Sequence, residues 1–321
     1  MSKRVKQRET CNQLKNSFET ITREWHEKQK GAWTEHHAER VLRCMKNEVF
    51  PDIGNIPLSE VTAPQILAML KKIESRDALE LASRTLQRCN AIFRYAVQTG
   101  RVQHNPAADL KGVLKTRKVK HRAALSRADL PEFLNNLDTY KGNLITQLAL
   151  KLILLTFVRT RELREAKWKE FDLDRAEWRV PAERMKMGVE HIVPLSSQAV
   201  NILQQLKPLT GKSELVFPGE RSLKKPVSEN TMLYAMYRMG YHKRATVHGL
   251  RATASTILNE SGFNPDAIER QLAHIPKDEV RAAYHRAKYL EERRHMMQWW
   301  ADFLDGLRDK ENVVPIMAGK S

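Results

Sequence analysis

The chain has 321 residues, enough for two domains that each bury a core. Its 55 Lys+Arg against 38 Asp+Glu give a formal net charge of +17 and a pI of about 9.8, a balance that favours a polyanionic partner because neutralised phosphates release counterions. The longest apolar run, LALKLILLTFV, is too short to span a bilayer and contains Lys151, which argues against a membrane protein. The segment MSKRVKQRET lacks the apolar stretch of a secretory signal. Cys11, Cys44 and Cys89 are odd in number and widely spaced, which fits reduced thiols in the cytoplasm and offers no zinc spacing.

In chain order, the first third reads as a bundle of four main helices over residues 1–110. NSFETITREWHEKQ carries Phe18, Ile21 and Trp25 on one side, and TEHHAERVLRCMKNEVF carries Ala38, Val41, Leu42, Met45 and Val49. PDIGNIPLSEV interrupts with Pro and Gly, after which Thr62 and Gln65 fit a capping box ahead of ILAMLKKIE. A long helix follows through ALELASRTLQRCNAIFRYAV, with Gly100 placed to end it. Residues 111–125 form a basic linker, where Lys111, Lys115, Arg117, Lys118, Lys120 and Arg122 occur without an acidic residue. Such a run suits a solvated connector, and it equally suits a segment lying along DNA phosphates without reading bases.

A second domain is expected over residues 126–308, opened by the helix start at Ser126 and Asp129. The apolar helix LITQLALKLILLTF comes next, then FDLDRAEWRVP and EHIVPLS, which alternate as strands do, with AERMKMGV between them. Helices return with SSQAVNILQQL, SENTMLYAMYRM, NPDAIERQLA, DEVRAAYHRA and YLEERRHMMQWWADFLDGL. Residues 309–321 form a short tail, free or docked on a neighbour. The fold class is mainly α: a helical bundle plus a mostly α-helical domain with a small antiparallel β-sheet.

Within that domain, ATVHGLRATASTIL places His248 and Arg251 one turn apart at a helix start. Unpaired N–H groups and the dipole there favour an anion, and two basic side chains suit a phosphate. Taken singly, the other candidates are ordinary: Arg159 in a helix–helix turn, Lys186 in a strand turn, His274 closing ERQLAH, and a helical Tyr284. Their order is not. The series Arg159, Lys186, His248, Arg251, His274, Tyr284, with R-x-x-E-L, HGLR, LAH and AAY around them, resembles the tyrosine recombinase (phage integrase) family. NPAADL, AERMKM, HIVPLS and MMQWWADFLD are similar in particular to integrases of satellite phages and prophage islands. The likeness runs from about Phe18 to about Leu307. It departs at Phe157, where the family has a small residue, at Arg161 for a common Gly, and at His285 for a common Asn.

The resemblance implies a DNA breaking–rejoining fold, in which a core-binding domain and a catalytic domain form a C-shaped clamp on duplex DNA. Tyr284 attacks a phosphodiester, leaving a 3′-phosphotyrosine and a free 5′-hydroxyl, so that the bond energy is kept for religation. Arg159 and Arg251 clamp the developing charge, Lys186 protonates the departing 5′-oxygen, His248 manages the tyrosine proton and His274 donates to a phosphate oxygen. Glu162 supports the site structurally. No metal, nucleotide or other cofactor is implied. The expected partners are double-stranded attachment core sites, three further copies in a tetrameric synapse formed from free monomers, and DNA-bending accessory proteins. Relatives begin with a small arm-binding domain, and the chain as given starts almost directly at the core-binding helices, so recognition of core sites alone is expected. Two other readings are a type IB topoisomerase and a non-catalytic DNA-binding prophage remnant or excision regulator.

Overall fold

A computed structural model describes residues 16–115, 123–185, 188–274 and 289–308. The chain divides into two compact units, Met1–Lys120 and His121–Ser321.

In the first unit the described helices are α1 (Phe18–Lys30), α2 (Glu35–Cys44), α3 (Ala63–Glu74) and α4 (Leu79–Gln98). Three begin on side-chain caps, which satisfy N–H groups that no helical carbonyl can reach. Ser17 Oγ accepts from Thr20 N at 3.3 Å, Thr34 Oγ1 accepts from His37 N at 3.3 Å, and Gln65 Oε1 accepts from Thr62 N at 2.8 Å. The apolar faces meet in one core that includes Phe18, Ile21, Trp25, Val41, Ile92 and Phe93. Each such side chain contributes roughly 1.5–3 kcal/mol relative to exposure. Gly100, at φ +71°, ends α4 as the sequence predicts. The break expected from Pro51 falls later. Met45–Gly54 continues α2 as a π-helix with Pro51 inside it, because wider winding relieves the clash of a proline ring with the preceding turn and keeps Val49 and Ile53 buried.

The helices of the second unit begin after Ser126, whose N–H donates to Asp129 Oδ2 at 2.9 Å. Then follow α5 (Leu130–Asp138), α6 (Leu144–Thr156) and the short α7 (Thr160–Arg164). Helix α6 is apolar nearly all round and is the central pillar of this core. Strands β1 (Phe171–Asp172), β2 (Glu177–Val180) and β3 (His191–Pro194) form an antiparallel sheet in that order, with Trp178 opposite Phe171 on one side and Val193 on the other. FDLDRAEWRVP is therefore a hairpin rather than one strand, turned where Asp172 Oδ1 accepts from Arg175 N at 2.9 Å. Helix α8 (Ser197–Thr210) leads to a second small hairpin, β4 (Pro218–Gly219) with β5 (Ser222–Pro226), which the sequence reading passes over. Helices α9 (Thr231–Arg238), α10 (Gly249–Glu260), α11 (Pro265–Gln271) and α12 (Leu290–Arg308) complete it. Among the described residues, no helix is long and apolar enough to cross a membrane.

Candidate active site

The C-terminus of α6 is where the site begins. Phe157 takes the left-handed conformation at φ +48°, turning the chain so that Arg159 becomes the N-cap of α7. A side chain is costly in that conformation. Phe157 is nonetheless 1% exposed, and its ring meets Trp300 edge-on at 5.8 Å. Arg159 is fixed by Glu162, which accepts its backbone N–H and its Nη1 at 2.7 Å each, while Nη2 donates to the carbonyl of Ala273 at 3.1 Å. Glu162 is 3% exposed, so its removal strands both donors. Glu162→Ala is expected to cost about 3 kcal/mol, read as a lower urea midpoint; an unshifted midpoint would show that Glu162 holds nothing in place.

Arg251 sits in the first turn of α10, with His248 exposed at the N-cap. Gly249 between them is obligatory, because a Cβ there would lie 2.0 Å from the carbonyl oxygen of Ala123. Arg251 is buried; its Nη1 donates to the carbonyl of Phe157 and its Nη2 to that of Leu272 at 2.7 Å. Burial first, and Arg159 second, push its guanidinium down to about 10, which leaves it charged at neutral pH. Leu272 and Ala273 are consecutive, so two successive carbonyls after α11 hold Arg251 and Arg159 side by side. The next residue is His274, half-exposed, with Nδ1 2.8 Å from Glu269 Oε2.

A buried polar network underlies this junction, and the sequence reading missed it. Gln271, fully buried, donates Nε2 to the carbonyl of Thr156 at 3.0 Å and accepts from Arg293 Nε at 3.0 Å. Arg293 Nη2 also donates to the carbonyl of Ile192 at 2.6 Å, tying α12, α11, β3 and the end of α6 together. Burial pushes the Arg293 guanidinium down to about 9. The available signal was a polar side chain on a helix face that is otherwise buried: Gln271 beside Ile268 and Leu272, and Arg293 beside Met296 and Met297.

Of the predicted site residues, the structure thus brings Arg159, Arg251 and His274 together, with His248 one turn before Arg251. Lys186 and Tyr284 lie outside the described residues, as do Arg117, Lys118, Lys120 and Arg122. Lys111 and Lys115 are exposed, the backbone N–H of Lys115 donating to Glu74 Oε1 at 2.7 Å.

Residues 18–113 match the phage integrase central domain, and residues 123–291 match the phage integrase family. The integrase of Enterobacteria phage P4 is 47% identical over 310 residues, covering 92% of this chain and 70% of its own length. The prophage integrase IntS of Escherichia coli (strain K12) is 38% identical over 291 residues, covering 90% of this chain and 76% of its own. Among solved structures, a lambda integrase dimer bound to a COC' core site superposes with a TM-score of 0.67 at 18% identity, covering 90% of this chain and 82% of that one. The Tn1549 transposon integrase in complex with a circular intermediate DNA gives 0.64 at 14% identity, covering 87% and 98%. With more than half the chain matched to the family and relatives near 40% identity along most of both lengths, the chain belongs to the phage integrase family and is a tyrosine-type site-specific recombinase.

Proposed function

We propose that the chain cleaves and rejoins duplex DNA at attachment core sites through a 3′-phosphotyrosine on Tyr284, integrating or excising a mobile element. The observation that carries this reading is the pairing of Arg159 and Arg251 on the successive carbonyls of Ala273 and Leu272, with His274 next in the chain. In that arrangement the backbone carbonyls and Glu162 take only part of each guanidinium's donors. The remaining donors suit the two non-bridging oxygens of one phosphate. His248 at the start of α10 adds a group that can take the tyrosine proton. Glu269 can accept Nδ1–H of His274 while Nε2–H donates to the phosphate.

Residues 1–110 act as the core-DNA-binding domain, 111–125 as a basic linker following phosphates, and 126–308 as the catalytic domain. The likeness to a lambda integrase tetramer bound to a Holliday junction supports four copies acting on two sites. DNA-bending proteins assist the synapse, and the protein works on the nucleoid in the cytoplasm. A nicked suicide duplex tests the chemistry: a denaturant-resistant protein–DNA adduct is expected, and its absence on every duplex tiled across the DNA flanking the gene would refute the reading.

Lys186 is proposed as the general acid. Lys186→Ala is expected to slow cleavage of ordinary DNA about 100-fold or more, within the usual range for a positioned acid. On DNA with sulfur at the 5′ bridging position the loss shrinks to a few-fold, because a thiolate leaves without protonation. Equal slowing on both substrates removes Lys186 from that role.

A further inference from the structure

A third arginine stands beside the pair, with no hydrogen-bond acceptor or carboxylate on it among the described residues. Arg270 lies on α11, four residues before His274, and is only partly exposed. Among the described residues, burial lowers its guanidinium from the ordinary value and no carboxylate offsets that burial. By contrast, Arg159 has Glu162, and Arg293 has Gln271 and the carbonyl of Ile192. A partly desolvated cation without an acceptor costs stability, and an arriving anion recovers it.

Arg270 lines a recess of about 10 Å³ with Arg159, Met185, Val189, Glu190, His191 and Ala273, room for a single water-sized oxygen; the Glu190 carboxylate is half-exposed and has Arg179 as its partner at 4.0 Å. His191 is 2% exposed, and its Nε2 sits 3.2 Å from the carbonyl oxygen of Gln271, so that nitrogen carries the hydrogen. Burial, then Arg293 and Arg270, hold the ring well below the ordinary imidazole value and so keep it neutral. Nδ1 is then a buried acceptor, and it has no hydrogen-bond partner among the described residues. The recess is therefore lined by the two guanidinium groups and His191, against the single carboxylate of Glu190, which Arg179 also neutralises. A water that donates one hydrogen to Nδ1 keeps its other for an anionic oxygen, which the arginines also bind.

We propose that Arg270 binds a non-bridging oxygen of the DNA phosphate next to the scissile one, with a water seated on His191 completing this second phosphate subsite. The proposal rests on the reading above, in which Arg159, Arg251 and His274 already hold the oxygens of the scissile phosphate. Arg270 is then a substrate-positioning group: it fixes the strand beside the reacting bond, and misplacement there is expensive in rate.

The test uses single-turnover adduct formation on nicked duplexes tiled across the DNA flanking the gene. The duplex that reacts is remade with one neutral methylphosphonate on either side of the scissile phosphate. Arg270→Gln should slow the unmodified duplex about 10- to 100-fold, the range for one charged hydrogen bond. It should add nothing further on one of the two methylphosphonate duplexes and keep its full penalty on the other. Arg270→Lys, which retains the charge, should recover part of the rate. If melting shows Arg270→Gln unfolded at the assay temperature, Arg270→Lys is judged by the same three-duplex comparison. An equal penalty on all three duplexes, or none on the unmodified one, overturns the role of Arg270 and leaves the recombinase reading intact. No adduct from the unaltered chain on any duplex defeats that reading and this inference together.

Discussion

Tyr284→Phe is expected to bind core-site DNA as the unaltered chain does and to form no covalent adduct at all. The substitution removes one hydroxyl from a chain whose net charge of +17 is untouched, so the phosphate contacts that dominate affinity and its salt dependence persist. The nucleophile, in contrast, has no substitute: covalent catalysis divides the displacement into two steps only if an oxygen on the protein takes the phosphoryl group. Gel retardation at several salt concentrations and denaturing electrophoresis on the same suicide duplex separate the two effects. Retardation should give matching curves, and the slow denaturant-resistant band should vanish. A residual band from the Phe variant would mean that another hydroxyl attacks, and Tyr284 would lose its proposed role.

Much of this architecture was legible because the signals were long and periodic. The long apolar run that became α6, broken only by a few polar residues such as Lys151, read as a buried helix, and the Ser126–Asp129 and Thr62–Gln65 pairs marked helix starts that the structure forms. The hairpin β4–β5 was not legible, since Pro218–Gly219 and the polar SLKKP show no alternation and its register rests on a turn rather than on a buried face. The chain around Pro51 was misplaced by a few residues because a proline forbids α winding more firmly than it forbids a π turn. At the site, the boxes HGLR and LAH marked the residues. They could not show that consecutive carbonyls of Leu272 and Ala273 orient the two arginines, or that Gln271 and Arg293 brace the loop from beneath. Backbone acceptors carry no side-chain identity, so sequence is silent about them. Phe157 shows the same limit: the sequence marks an unusual residue, and only its positive φ explains why it is unusual.

Arg251→Lys should retain most DNA affinity and lose about a thousandfold or more in single-turnover cleavage, the scale on which one arginine acts in phosphoryl transfer. Two separate losses combine. The first is geometric: Arg251 gives Nη1 to Phe157 and Nη2 to Leu272 while its remaining donors are available for the phosphate, and a lysine cannot brace itself on two carbonyls and present a planar fork at once. The second is electrostatic. Burial and Arg159 push the Arg251 guanidinium down to about 10, still charged at neutral pH. The same burial would lower a lysine too, and from a starting value already below that of arginine, bringing it closer to neutral pH. The residual activity of the Lys variant should therefore fall as pH rises from 7 to 9, while the unaltered chain stays level through that window on this group's account. A Lys variant within a few-fold of the unaltered rate would show that Arg251 acts as a point charge only. One that is slow but flat with pH would show that the fork matters and that the pocket around Leu272 is wetter than the burial of Arg251 implies.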